Sequence, residues 1–164
     1  MAWASFLQSL ADSAVGSGIR ESGFLFPSIE SIHVLMATTV VGTIAIVDLR
    51  LIGYASHRRG ARQLILDLLP FTWAAFALAA ITGSLLFTSN APNYAANAPF
   101  VSKMVVLVLA GMNMAIFHLT AYQRIGQWND ALPPPRGVRV AGATSLTLWI
   151  AIVFLGRWIG FTVE

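Results

Sequence analysis

Ionisable and thioether side chains near one end of several apolar segments form a first group of residues that could carry chemistry. This group, the outer cluster, consists of Glu30, His33, Lys103, Met104 and Arg157. Imidazole and thioether groups bind haem iron, and cations neutralise the haem propionates. We therefore expect a b-type haem, with His33 as an axial ligand and with Lys103 and Arg157 at the propionates.

Methionine is the second type of metal ligand in this region. Met104 or Met36 could supply the sixth ligand of the iron. The same methionines, together with His33, are soft and borderline ligands that also suit Cu(I), so copper handling is an alternative. The chain has no cysteine, which excludes disulfides, thiolate metal sites and iron–sulfur clusters.

A second group, the inner cluster, consists of Asp48, Arg50 and His118 and is expected closer to the opposite membrane face. Fifteen residues separate His33 from Asp48, and fifteen separate Lys103 from His118. At about 100° per residue each pair stays near one helix face, so the two pairs are expected to face each other. His33 and His118 differ in depth by roughly 18 Å and cannot share one haem. An Asp48–His118 hydrogen bond would serve a second haem, a proton path or a structural contact.

The elements that position these clusters are predicted to be membrane-spanning helices. Of the 164 residues, 57% are hydrophobic and only 10% are charged, with a mean hydropathy of +0.72; soluble domains have about 25% charged residues. Four apolar runs are long enough to cross about 30 Å of hydrocarbon. We predict an all-α integral membrane protein, a four-helix transmembrane bundle, with spans at 29–55, 65–88, 100–122 and 140–162.

The N-terminal residues are expected to form a separate short segment, residues 1–26, before the four-span domain at 27–164. Trp3, Phe6, Leu7, Leu10 and Val15 recur at nearly helical spacing, which predicts a short amphipathic helix. Such a helix either lies in the membrane interface or packs on the bundle.

Basic residues predict the orientation in the membrane. The first loop contains His57, Arg58, Arg59 and Arg62, and the third loop contains Arg124, Arg136 and Arg139. The second loop, between them in the chain, is uncharged. The positive-inside rule then places both termini outside the cytoplasm, and we expect the bacterial inner membrane. The net charge of +3 is not gathered on one face, so we expect no nucleic-acid partner.

Three stretches carry a resemblance to known families: FPSIESIHVL, DLRLIG and SKMVVLVLAGMNMAIFH. Together they resemble an uncharacterised family of small bacterial four-span membrane proteins, a domain of unknown function. More loosely, the histidine opening span one, the arginine closing it, and the lysine and histidine of span three resemble the four-span protoporphyrinogen oxidases. The membrane domain of copper-resistance protein D is similar in layout. The oxidases bind haem b, so this resemblance implies a haem near His33, with Lys103 and Arg50 as matching polar positions.

The main functional hypothesis is therefore a haem protein that carries electrons, an electron-transfer protein or oxidoreductase of the lipid bilayer. Its partners would be the membrane quinone pool or a periplasmic redox protein. The alternatives are copper handling and a structural or accessory subunit of a membrane complex, in which buried charges hold helices in register. A homo-oligomer is compatible with each of them. Transport is disfavoured because no span is interrupted as transporter spans often are.

Overall fold

A computed structural model describes residues 2–55 and 59–162 of the chain. The described residues form helices connected by short loops, with no strand. The α-helices are α1 (Ala2–Ala11), α2 (Ala14–Glu21), α3 (Leu25–Ile52), α4 (Ala61–Ser89), α5 (Ala91–Ala96), α6 (Ala98–Leu119), α7 (Ile125–Trp128) and α8 (Arg136–Thr162), and a 3₁₀ turn spans Tyr122–Arg124. His57 and Arg58, which the orientation prediction used, lie outside the described residues.

Four of these helices, α3, α4, α6 and α8, are long and apolar enough to cross a membrane, which confirms the predicted four-span bundle. Three of them begin four residues earlier than predicted, α3 at Leu25, α4 at Ala61 and α8 at Arg136. Pro27 lies in the first turn of α3, where its missing N–H leaves no hydrogen bond unmade. The helices thus extend beyond the apolar runs that hydropathy marks.

The bundle is closed on three of its four flanks. α3 packs along both α4 and α8, and α6 packs along α8. Gly142 permits the close crossing of α3 and α8, because a Cβ there would lie 2.9 Å from the Leu51 Cβ and 3.1 Å from the Asp48 carbonyl oxygen. Among the described residues α4 and α6 form no extended contact, so the bundle is open along that flank.

The end of the bundle that carries residues 53–55, 59–60 and 120–135, which we call the basic end, has its own packed core. This core contains Leu51, Ala61, Ile65, Phe117, Ile125, Trp128 and Val138. The Trp128 indole N–H donates to the carbonyl oxygen of Ala121 at 2.9 Å. The third loop is therefore folded against the ends of the spans and fixes their separation at this end.

The opposite end, which we call the α5 end, is covered by α1 and α2. Arg20 donates from Nη1 to the carbonyl oxygens of Ala11 and Ser89, each at 3.0 Å. Leu7 is buried, whereas Trp3 and Phe6 stack on each other and are 67% and 52% exposed. The N-terminal helix is amphipathic as predicted: it packs on the bundle through one side and leaves its aromatic residues exposed on the other.

Candidate functional site

His33 is held against α4 by hydrogen bonds from one ring nitrogen. Its Nδ1 lies 2.9 Å from the Ala79 carbonyl oxygen and 3.1 Å from the Thr82 hydroxyl. The Thr82 hydroxyl donates its own proton to the Leu78 carbonyl at 2.7 Å. Because the Ala79 carbonyl can only accept a hydrogen bond, the ring proton of His33 must be on Nδ1. Nε2 therefore keeps the lone pair that could bind a metal.

Gly83 is the residue that allows the His33 ring to lie flat against α4. A Cβ at position 83 would approach Cε1 of His33 to 2.9 Å, which is closer than real Cβ atoms come. The imidazole is half-buried between the two helices as a result. A sequence scan for ligands does not find this contact, because glycine and backbone carbonyls carry no chemical label.

Two charged residues of the outer cluster lie near His33. Glu30 and Lys103 both lie close enough to the imidazole to interact with it electrostatically. The stem of Lys103 runs along α8, with its Cδ 3.8 Å from the position of a Cβ on Gly156, and its ammonium lies 5.9 Å from the centre of the Phe100 ring. Lys103 is thus half-buried and carries its charge toward the α5 end.

Three aromatic side chains that the sequence analysis did not select lie beside this charge. Phe87 and Phe100 stack with ring centres 5.4 Å apart, and Tyr94 of α5 lies 5.6 Å from Phe100. Burial, and secondarily Glu30, raise the pKa of the Tyr94 phenol, which therefore stays protonated at neutral pH. Asn97 positions Phe100 by accepting a hydrogen bond from its backbone N–H at 3.0 Å.

The remaining members of the predicted outer site have different surroundings. Arg157 is on the exposed surface, where its guanidinium lies 4.8 Å from the Phe161 ring centre. This position suits a cation that extends toward the membrane interface. Met36 and Met104 are each half-buried. Of the predicted outer cluster, the structure therefore associates Glu30, His33 and Lys103.

The inner cluster is not joined by direct hydrogen bonds among the described residues. The His118 Nδ1 donates to the carbonyl oxygen of Met114, one turn earlier on its own helix, at 3.0 Å. Asp48 instead interacts with the side chain of Ser145 on α8. The expected Asp48–His118 bond is replaced by these two contacts, although both side chains line the same cavity.

Arg50 points away from Asp48, toward the basic end, and is 1% exposed. Its Nε donates to the Arg59 carbonyl oxygen at 3.1 Å and its Nη2 to the Asn129 carbonyl oxygen at 2.9 Å. These carbonyls belong to the first and third loops. The predicted cofactor-binding arginine is therefore placed where it joins two loops, because residues two apart on a helix point in nearly opposite directions.

A cavity of about 350 Å³ lies between α3, α4, α6 and α8. Its lining is mainly apolar and includes Trp73, Phe76 and Trp149. Asp48, Thr72, Asn113, His118 and Ser145 contribute its polar groups. A mostly apolar space with a few polar groups is typical of small-molecule sites, which have volumes of about 300–1,000 Å³.

Within residues 2–55 and 59–162, no three His, Cys, Asp or Glu side chains come together in a group that could hold a metal ion. These residues therefore give no support for a metal ion bound by side chains alone. A haem needs fewer ligands from the protein, because the porphyrin supplies the equatorial ligands and the chain supplies only the axial ones. His33, with Nδ1 bonded to a carbonyl and with no hydrogen bond at Nε2 among the described residues, fits that requirement.

Nearly the whole chain matches a known protein family. A family model, described as a family of unknown function, matches residues 6–162. The chain belongs to the family of unknown function DUF6644. This confirms the predicted membership of an uncharacterised family. No curated protein and no solved structure matches the chain, so the looser resemblances to the oxidases and to copper-resistance protein D stay predictions.

Proposed function

We propose that this protein binds a b-type haem in the membrane and transfers electrons, with His33 as an axial ligand. The observation that carries the proposal is the hydrogen bond from Nδ1 of His33 to the Ala79 carbonyl. Metal-binding histidines almost always donate their second ring nitrogen in this way, because the bond fixes the tautomer and the ring direction. The iron would supply one-electron chemistry.

The surroundings of His33 support a haem more than an isolated metal ion. Lys103 provides a cation near the α5 end, where a propionate would need one, and Phe87, Tyr94 and Phe100 provide aromatic surface beside it. Gly83 lets the imidazole pack directly against α4, which helps to fix the ring in place. Glu30 lies near enough to act on the imidazole electrostatically. Met36 or Met104 would be the second axial ligand.

The location that suits this function is the bacterial inner membrane, with both termini outside the cytoplasm. Arg59, Arg62, Arg124, Arg136 and Arg139 are all at the basic end, and the positive-inside rule assigns that end to the cytoplasm. His33 would then lie in the outer half of the membrane. A membrane quinone or a periplasmic redox protein is the partner expected at that depth.

Absorption spectra of the detergent-purified protein, oxidised and dithionite-reduced, test the proposal. We expect a Soret band that shifts on reduction and is lost in His33→Ala. His118→Ala is the matched control and should keep the band, because His118 lies on another helix at the opposite end of the bundle. Thr82→Val should also keep it, since the Ala79 carbonyl still orients the ring.

Two results would contradict the haem. A colourless protein from haem-replete cells that binds copper stoichiometrically, and loses it in His33→Ala, would support copper handling. A protein without any cofactor whose His33→Ala variant is only less stable would assign the histidine to helix packing alone. A Soret band lost in His118→Ala but retained in His33→Ala would place the haem at the cavity instead.

A further inference from the structure

The cavity between the four spans has an unsatisfied polar group in its wall. Asp48 is 4% exposed, lines the cavity, and has one carboxyl oxygen, Oδ2, without a hydrogen-bond partner among the described residues. A buried polar atom left unpaired destabilises a protein, and an ionisable residue at membrane depth is usually functional. The arrangement therefore indicates that a partner for Oδ2 comes from outside the chain.

The hydrogen-bonding groups of the wall define what such a partner must offer. His118 uses its N–H at the Met114 carbonyl, so the nitrogen left for a ligand is the acceptor Nε2. The Thr72 hydroxyl donates to Thr43 at 2.8 Å, and Asn113 donates to the Ala141 carbonyl at 3.1 Å. His118 therefore presents an acceptor and Asp48 an unpaired carboxyl oxygen, and a ligand that bridges them has to donate to His118.

Charge restricts the ligand further. No lysine or arginine is found among the residues that line the cavity, as far as the structure describes them. A phospholipid phosphate or a fatty-acid carboxylate would meet the Asp48 carboxyl without a compensating cation, which is unfavourable in an apolar environment. The chemistry of the wall favours a neutral molecule with hydroxyl groups.

The open flank between α4 and α6 determines how the ligand arrives. Trp73 of α4 and Met114 of α6 both line the cavity, yet they are 50% and 39% exposed on the outside of the bundle. Gly111 also lines the cavity, and a Cβ built on it meets no atom within 4 Å. Because this flank faces hydrocarbon in a bilayer, a ligand that enters here must be soluble in lipid.

We propose that the cavity binds a quinol, a lipid-soluble aromatic ring with two hydroxyl groups, which donates to His118 Nε2 and Asp48 Oδ2. Its isoprenoid tail would leave between α4 and α6. The aromatic residues of the wall, Phe76 and Trp149 among them, would contact the ring. The proposal stands apart from the haem, since His33 is not one of the residues that line the cavity.

Calorimetric titration of decylubiquinol into lipid nanodiscs that contain the protein, with empty nanodiscs as the blank, tests this site. We expect saturable binding of the quinol, and binding about tenfold weaker for decylubiquinone, which lacks the donors. Gly111→Leu should abolish binding by filling the cavity, while its unfolding midpoint stays near that of the wild type. His118→Phe should weaken binding about tenfold, whereas His118→Gln, which keeps an acceptor, should restore most of it.

His33→Ala is the matched control and should bind decylubiquinol like the wild type, even where it has lost a Soret band. Four results of the binding measurements would overturn the proposal: no saturable binding, equal affinity for quinol and quinone, unchanged binding in Gly111→Leu, or displacement of the quinol by an equal concentration of oleate. The last would show that the cavity holds a lipid chain. Loss of the Soret band in His118→Phe would make the cavity the haem site and would also overturn it.

Discussion

Arg50 illustrates how the partners of a single buried charge depend on more than its spacing along the helix. The sequence groups it with Asp48 and His118 because all three lie at one depth. The structure directs its guanidinium to the carbonyl oxygens of Arg59 and Asn129, which belong to different loops. Hydrogen bonds from a charged group to a buried carbonyl contribute more than neutral ones, so this residue stabilises the basic end of the bundle.

Replacing Arg50 with alanine should therefore destabilise the fold. Arg50→Ala removes the donor of the Arg59 carbonyl and one of the two donors of the Asn129 carbonyl, and we expect the free energy of unfolding to fall by about 3 kcal/mol. The measurement is unfolding in mixed detergent micelles by titration with sodium dodecyl sulfate. Haem content per folded chain should stay unchanged, since Arg50 points away from His33.

Arg59→Ala is the control for this measurement, because it keeps the carbonyl that Arg50 binds. It removes only the exposed Arg59–Asp67 ion pair, whose atoms are 3.8 Å apart, and should change the unfolding free energy by less than about 1 kcal/mol. An equal loss in the two variants would show that the general charge of the basic end matters, and not the two hydrogen bonds.

The two histidines show what could be learned about the site from the sequence. Their depths follow from residue count, and the conclusion that they occupy different levels agrees with the positions of His33 near the α5 end and His118 near the basic end. Their partners could not be predicted, because His33 and His118 both bind backbone carbonyls, which every residue has. Which carbonyl each ring meets depends on the rotation and packing of the helices, and a hydropathy pattern gives information on neither.

At the scale of helices, the spans were predicted well and their arrangement less well. Hydropathy locates the four spans because crossing hydrocarbon requires long apolar runs. The close crossing of α3 and α8 depends instead on Gly142, one of thirteen glycines. Spans one and three were expected to face each other; α3 and α6 do so only across the cavity, and neither helix packs along the other.

Gly142→Ala should weaken the α3–α8 crossing. The added methyl group would overlap the Leu51 Cβ and the Asp48 carbonyl, and relief requires a backbone shift that costs about 1–3 kcal/mol. We expect a lower unfolding midpoint and a weaker affinity for decylubiquinol, since Asp48 lies in the same segment. Gly160→Ala on the same helix, where a Cβ meets nothing within 4 Å, should be neutral or slightly stabilising. Equal effects of the two substitutions would show that helix propensity, and not the crossing, determines the result.

At the scale of the whole molecule, the arginines of the loops are concentrated at the basic end. The first and third loops carry arginines and are tied together by Asn129, whose carbonyl accepts from the Ala61 N–H at 3.0 Å and whose side chain accepts from the Arg62 N–H at 2.8 Å. The short segment Asn90–Asn97 at the α5 end contains no charged residue. Since arginine-rich loops remain on the cytoplasmic side, this asymmetry supports the proposed orientation, in which the proposed haem would lie in the outer half of the bundle.

This orientation can be measured directly because the chain has no cysteine, so each introduced thiol is unique. Ser5→Cys and Gln127→Cys lie at exposed positions at the two ends of the bundle. In cells with an opened outer membrane, a membrane-impermeant maleimide should label Ser5→Cys at once and Gln127→Cys only after lysis. The cysteine-free parent is the control for background labelling. The opposite pattern would place the basic end outside, and the proposed haem would then exchange electrons with the cytoplasm and not with a periplasmic partner.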